Sequence, residues 1–265
     1  MGKRSRKRVM MTLYEEQLYT YNAGKQSYIN KVEKAIELIK KAVDMNKKMS
    51  ISCSYGKDSI VLLNLVFSVT ENVIVIQSDS GYQLPDTYRI REYYENKYNY
   101  KTIIVEQLLP FEEFLKTYGM QSINRTRTQH KKVVEVTKKD RLTERAKENG
   151  VELTFWGLRK SESSARNKFL INRDIFYNRT KSMWFCSPLA YFTNTDIWTY
   201  IFTNKLEYPN FYDMQNCGKT REWIRNTSWV STDGANKGTL VWLKYNFPEY
   251  FNELAKKFKE VKGYV

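Results

Sequence analysis

The feature that most constrains this chain is a short apolar run that breaks into a glycine-containing turn and restarts as a helix. Met49-Ser50-Ile51-Ser52-Cys53 reads as a strand, and Ile60 to about Val69 as an apolar helix. Between them lies Ser54-Tyr55-Gly56-Lys57-Asp58-Ser59. The first N–H groups of a helix have no partner inside it, and the helix dipole favours an anion there. Gly56 lets backbone approach a ligand closely. Lys57 adds charge, Ser54 and Ser59 add hydroxyls, and Asp58 can cap the turn or help hold a magnesium ion. An ordinary polar strand-to-helix turn uses the same residue types. The Gly-x-x-x-x-Gly-Lys-Ser/Thr pattern of the Walker loop is absent.

The rest of the chain repeats this alternation. Apolar positions Ile29, Val32, Ala35, Ile36, Ile39, Ala42 and Val43 predict an amphipathic helix over 26–47. Strands are expected at 72–77, 102–105, 153–156 and 184–186, with a Pro85-started helix and a charged helix over 130–149 between them. Strands alternating with helices predict an α/β fold: a parallel, twisted, five-stranded sheet with helices on both faces. Ligands in such sheets sit beyond the carboxyl ends of the strands. Asp79 closes the second strand, where it can accept from a ribose or adenine donor or ligate magnesium. Thr193 followed by Asp196 is a helix-start capping pattern. The chain divides into a basic arm (1–15), a nucleotide-binding domain (16–213) and a helical, aromatic C-terminal extension (214–265) packed on the same domain.

The 42% hydrophobic content supports a real core, and no apolar run reaches membrane-spanning length. The basic start is not followed by a signal-peptide stretch, and a cytoplasmic setting is expected. The net charge of +15, with clusters at residues 3–8, Arg125/Arg127/Lys131/Lys132 and Lys138/Lys139/Arg141, fits polyanionic partners, whether nucleotide or nucleic acid. A solvated lysine-rich surface gives the same count. Cys53, Cys186 and Cys217 are too sparse for a disulfide scaffold and too few for a four-cysteine iron–sulfur cluster. The lone His130 has no serine or cysteine nucleophile motif beside it.

Ser-x-Gly-Lys-Asp-Ser resembles the signature of the PP-loop ATP-pyrophosphatases, which grip the pyrophosphate of ATP. Three further stretches narrow the resemblance to the phosphoadenosine phosphosulfate (PAPS) reductase-like family. Asp79-Ser80-Gly81-Tyr82-Gln83-Leu84-Pro85-Asp86-Thr87 resembles that family's Asp-Thr-Gly-x-x-Phe-Pro-Glu-Thr. The segment from Gly157 through Arg159, Glu162 and Ser163 to Arg166 resembles its Gly-x-Arg-Arg-x-Glu-Ser-x-x-Arg. Pro188-Leu189, Asp196-Ile197-Trp198-Thr199-Tyr200-Ile201 and Pro209-Asn210-Phe211-Tyr212-Asp213 resemble its later blocks.

The resemblance spans roughly 48–213 and implies an adenine nucleotide alpha-hydrolase-like fold. It implies ATP, or PAPS or adenosine phosphosulfate (APS), bound with magnesium. The nucleotide-binding candidates are Ser52, Ser54, Tyr55, Gly56, Lys57, Asp58, Ser59, Asp79, Ser80, Gly81, Gly157, Arg159 and Arg166. Lys57, Asp58 and Arg159 are the catalytic candidates, and Asp58 and Asp79 the magnesium ligands. The family's reductases carry a C-terminal Glu-Cys-Gly-x-His. This chain ends Lys259-Glu260-Val261-Lys262-Gly263-Tyr264-Val265, leaving Cys217 as the candidate nucleophile. Three readings stay open: ATP cleavage between the α- and β-phosphates with transfer to an acceptor, thioredoxin-dependent sulfonucleotide reduction through Cys217, and a non-catalytic nucleotide- or nucleic-acid-binding subunit that needs a protein partner. An oligomer is compatible with each.

Overall fold

A computed structural model describes residues 12–79, 83–106, 141–214, 239–257 and 259–265, with Glu113, Thr117, Arg221 and Ile224 as isolated positions. Two helices lead, α1 (Leu13–Ala23) and α2 (Gln26–Asp44), followed by β1 (Met49–Ser52) and α3 (Lys57–Phe67). Then come β2 (Val73–Asp79), α4 (Pro85–Tyr98) and β3 (Ile103–Glu106). The chain continues through α5 (Arg141–Glu148), β4 (Leu153–Phe155), α6 (Ser164–Phe169), β5 (Ile175–Asn178), β6 (Met183–Cys186) and α7 (Asn194–Thr203). Helices α8 (Thr239–Asn246) and α9 (Pro248–Lys257) belong to the C-terminal stretch.

Among the described residues the sheet has six strands in the order β3-β2-β1-β4-β6-β5, where five parallel strands were expected. The additional strand is β5, which runs antiparallel to β6 across the turn Arg179–Ser182, pairing Ile175 with Cys186 and Asn178 with Met183. The other five are parallel. Its segment, Ile-Phe-Tyr-Asn, is bounded by charged residues and has no alternation, so periodicity does not reveal it. An antiparallel strand closing an otherwise parallel sheet is common in this class.

Strand alternation sorts the two faces. Met49, Ile51, Val73, Val75, Leu153 and Phe155 join the main core, with residues of α2, α3, α4 and α7 over them. On the other face Ile76, Val105, Met183 and Phe185 make a smaller cluster with Ala146 of α5. Here Ser50 and Thr154, both buried on neighbouring central strands, bond hydroxyl to hydroxyl at 2.9 Å. A sheet face lined by hydroxyls where apolar residues would pack is the first structural sign of a polar cavity. Among the described residues no helix is long and apolar enough to cross a membrane.

The capping pattern at Thr193 is realised and extended. The Asp196 amide donates to the Thr193 hydroxyl at 3.2 Å, and the Thr193 amide donates back to the Asp196 carboxylate at 2.7 Å. The same carboxylate takes Lys31 of α2 at 2.6 Å and Asn22 of α1 at 3.0 Å. Asp196 therefore fastens three helices. Replacing it with alanine is expected to cost about 3 kcal/mol and to lower the melting temperature by roughly 5–10 °C. Thr193→Ala should cost only about 1 kcal/mol. Thermal melts of both variants check the ranking, and equal losses would reduce Asp196 to a simple cap.

Candidate functional site

Strand order reverses at β1: the chain steps outward to β2 and β3, then returns to place β4 on the opposite side. The turns after β1 and β4 diverge at such a switch point and leave a crevice between them. Ser54–Ser59 follows β1 and Gly157–Arg166 follows β4, so the fold itself brings these two segments together. A Cβ added at Gly157 would stand 3.7 Å from the carbonyl of Asp58.

The loop is held by its own hydroxyls. The Ser54 amide donates to the Ser59 hydroxyl at 3.2 Å, the two serine hydroxyls are 3.0 Å apart, and the Gly56 amide faces the Ser54 hydroxyl at 3.4 Å. Tyr55 adopts φ 55°, an uncommon conformation for a residue with a Cβ. Its side chain is completely buried on the side away from the crevice and bonds to Thr102 at 2.5 Å and Tyr100 at 3.2 Å. Burial pushes its phenol far up. Tyr55 thus offers a ligand only backbone, while its ring anchors the loop. At the start of α3 the Lys57 amide donates to the Tyr212 hydroxyl at 3.2 Å. The amides of Asp58 and Ser59, second and third in that helix, make no hydrogen bond among the described residues.

Three charged side chains meet at this helix end. Asp58 accepts from Lys57 through one oxygen and from the Arg159 Nε through the other, each at 2.6 Å. Arg159 also donates to Ser161 at 3.0 Å and Asn194 at 2.9 Å, which fixes the plane of its guanidinium. Lys57 and Arg159 are both buried. Burial pulls the Lys57 ammonium below the usual lysine range, and the partial rescue by Asp58 is opposed by Arg159. Burial acts to raise the Asp58 carboxyl, but the two cations outweigh it and hold the group low. Glu162 orients the neighbourhood, accepting from the Arg159 amide at 3.0 Å and from the Arg166 guanidinium.

These groups border a cavity of about 760 Å³ that descends along the hydroxyl-lined sheet face. Of the residues singled out in the sequence, Ser52, Ser54, Gly56, Lys57, Asp58, Ser59, Gly157, Arg159 and Arg166 line it. Asp79 does not. At the end of β2 its carboxylate faces Arg91 and the Tyr88 hydroxyl, each at 3.4 Å. Ser80, Gly81, Cys217 and the basic stretch at Arg125–Lys132 lie outside the described residues. Tyr212, Asn194, Trp156 and Lys181 line the cavity without having been picked from the sequence. Tyr212 lies in the Pro209–Asp213 stretch that resembles a later family block, Asn194 inside the Thr193–Asp196 capping pattern and Trp156 at the end of the predicted 153–156 strand.

The donor set does not suit a protein-held magnesium ion. Both oxygens of Asp58 are already engaged by cations, Asp79 is turned to Arg91, and no group of three carboxylate, histidine or cysteine residues is assembled among the described residues. Cys53 and Cys186 are buried thiols, with Cys53 pushed up to about 12 and Cys186 higher by the same desolvation. Neither is a nucleophile at neutral pH.

A phosphate held by Lys57 requires the ammonium charged, so with that contact in place affinity is expected to fall as pH rises through the lysine's lowered pKa. The loss should begin at lower pH than an ordinary lysine would show. Calorimetric titrations with inorganic pyrophosphate between neutral and alkaline pH check this; an affinity that is flat to the usual lysine value would exclude it.

Comparison with known proteins agrees with this geometry. A family profile for the phosphoadenosine phosphosulfate reductase domain matches residues 48–231. An adenosine 5'-phosphosulfate reductase of Halalkalibacterium halodurans is 29% identical over 202 residues, 72% of this chain and 82% of that protein. An uncharacterized protein of Methanocaldococcus jannaschii is 28% identical over 243 residues, 90% of this chain, which spans only 55% of that relative's length. The crystal structure of phosphoadenylyl-sulfate (PAPS) reductase from Candida auris, a phosphate complex, aligns with a TM-score of 0.53 at 18% identity, covering 81% of this chain and 100% of that one. With the motifs, the switch-point cavity and the profile match in agreement, the chain belongs to the phosphoadenosine phosphosulfate reductase family and has the adenine nucleotide alpha-hydrolase-like fold.

Proposed function

We propose that the chain is an adenine-nucleotide-using enzyme that cleaves ATP between its α- and β-phosphates and passes the adenylyl group to an acceptor. The observation that carries this reading is the Lys57–Asp58–Arg159 cluster at the start of α3, beside two helix amides that make no hydrogen bond among the described residues. In the reaction an acceptor oxygen or nitrogen attacks the α-phosphorus. The bond from that phosphorus to the bridging oxygen breaks, and the electron pair leaves with pyrophosphate. Charge grows on the departing group, where Lys57, Arg159 and the Asp58 and Ser59 amides are already oriented and partly dry. Preorganised donors of this kind supply much of a catalyst's advantage. Magnesium belongs to this reading as part of the ATP substrate. Sulfate, a small metabolite or a nucleobase would serve as acceptor, and the net charge of +15 favours one carried on a nucleic acid.

A second reading is favoured by the relatives named adenosine 5'-phosphosulfate reductase. In it Cys217 attacks the sulfur of a bound sulfonucleotide, the S–O bond breaks and AMP (from APS) or adenosine 3',5'-bisphosphate (from PAPS) leaves, after which a thioredoxin-type dithiol reduces the enzyme-bound S-sulfonate and releases sulfite. The other two cysteines are excluded by burial. Titration of the protein with ATP, ADP, APS and PAPS, each with and without magnesium, separates the readings. Preference for ATP, followed by pyrophosphate release with a suitable acceptor, supports the first. Preference for APS or PAPS, with sulfite release lost in Cys217→Ser, replaces it with the second. If ATP and magnesium with a broad acceptor panel never yield pyrophosphate, the first reading fails.

A further inference from the structure

We propose that Tyr212 is a ligand-binding residue of the phosphate loop, its hydroxyl donating to the phosphate that sits over the start of α3. The inference rests on the cavity being a nucleotide site and adds to it a donor that the loop itself does not contain.

Tyr212 is 3% exposed, and its ring is locked edge-on to Trp198, with centroids 5.3 Å apart and planes at 80°, and tilted on Phe211 at 4.6 Å. The residue nonetheless lines the cavity, and its hydroxyl oxygen accepts from the Lys57 amide at 3.2 Å. That amide is the first of α3, at the positive end of the helix dipole. A hydroxyl that accepts from such a donor is polarised, and its own proton becomes the better donor. The direct grip of the first helix amide on an anion is thereby relayed through a packed side chain that itself lines the cavity.

The surroundings of Tyr212 are built to hold it there. The turn Asn210–Asp213 is tied at its start, where the Asn210 amide donates to Asp86. Arg89 in turn holds Asp86 at 2.6 Å and reaches Glu207 at 2.6 Å. At the far end Asp213 accepts from the Tyr208 hydroxyl at 3.1 Å and pairs with Arg221 at 3.1 Å. Asp86 and Asp213, two acidic residues of the motif-like blocks, therefore support a platform, and Tyr212 is what the platform presents.

The test compares wild type with Tyr212→Phe, which keeps the ring and removes only the hydroxyl. Both are titrated with ATP, inorganic pyrophosphate and adenosine. ATP and pyrophosphate should bind about tenfold more weakly to the variant, adenosine should be unchanged, and the melting temperature should hold. Equal affinities would overturn the inference. So would tighter pyrophosphate binding by the variant, because the hydroxyl would then be competing with the ligand for the Lys57 amide. An equal loss for adenosine would also overturn it, pointing to a general disturbance of the site. If wild type binds none of the three, the nucleotide reading itself falls and takes this inference with it, whereas wild-type binding with an unaltered variant overturns this inference alone.

Discussion

Lys57→Ala is expected to weaken ATP binding about 100-fold or more while leaving the fold assembled. The Lys57 side chain is 7% exposed, so its contact with a phosphate is little screened by solvent. A hydrogen bond to a charged group in such surroundings contributes about 1.5–3 kcal/mol. A second effect acts in the same direction. Without Lys57, the Asp58 carboxylate is left to Arg159 alone, 2.6 Å away, and holds that guanidinium more firmly against any anion that would claim it. One substitution thus removes one cation and occupies the other. Calorimetry with ATP at neutral pH measures the loss; less than about tenfold would mean that the ammonium does not touch phosphate.

Asp58→Asn is expected to act in two opposite directions. Asp58 is the counter-ion of two buried cations, so neutralising it leaves Lys57 and Arg159 repelling each other in a partly dry site. Leaving buried charge uncompensated costs about 3 kcal/mol or more, and a melting temperature lower by roughly 10 °C should follow. Inorganic pyrophosphate, however, should bind the variant more tightly than wild type and restore more of the lost stability, because the anion replaces the missing carboxylate. Had Asp58 been a metal ligand, the variant would instead lose whatever part of the affinity magnesium provides. Melts with and without pyrophosphate, and with and without magnesium, distinguish the two. An unchanged melting temperature would show that the cations do not depend on Asp58.

The central part of this site was legible because each signal was local. Gly56, Lys57 and Asp58 stand in a strand–turn–helix frame whose geometry follows from periodicity, and Arg159 follows the next central strand in the same way. What escaped was made by distant packing. Strand β5 exists because its hairpin partner β6 is already in the sheet, and four residues without alternation give no warning of it. Helix α1 leaves Leu13, Tyr14 and Tyr21 exposed, so it lacks a clear apolar stripe. In the folded chain Thr12 and Glu15 cap its start reciprocally. Tyr55 was grouped with the ligand-binding residues because it lies between them, and nothing in six residues says that its ring points to Tyr100 and Thr102. Asn194, which steadies Arg159, is 35 residues away from it, beyond the reach of any spacing rule. Asp79 shows the converse: a carboxylate at a strand end invites a ligand role, yet Arg91 from the following helix claims it.

The reversal of strand order at β1 also bears on how the protein is made. The Ser54–Ser59 loop and β1 leave the ribosome before β4, which supplies the wall that faces them and whose Thr154 meets Ser50 across 104 residues of sequence. Until that length of chain has been translated, the loop has no Arg159 to set against Asp58, and the helix α3 has no Tyr212 against its first amide. Pairings of such long range are closed late and slowly. A nascent chain halted before β4 should therefore carry a complete signature motif and bind no nucleotide, so ligand cannot assist the first half of folding and can act only as a latch on the last.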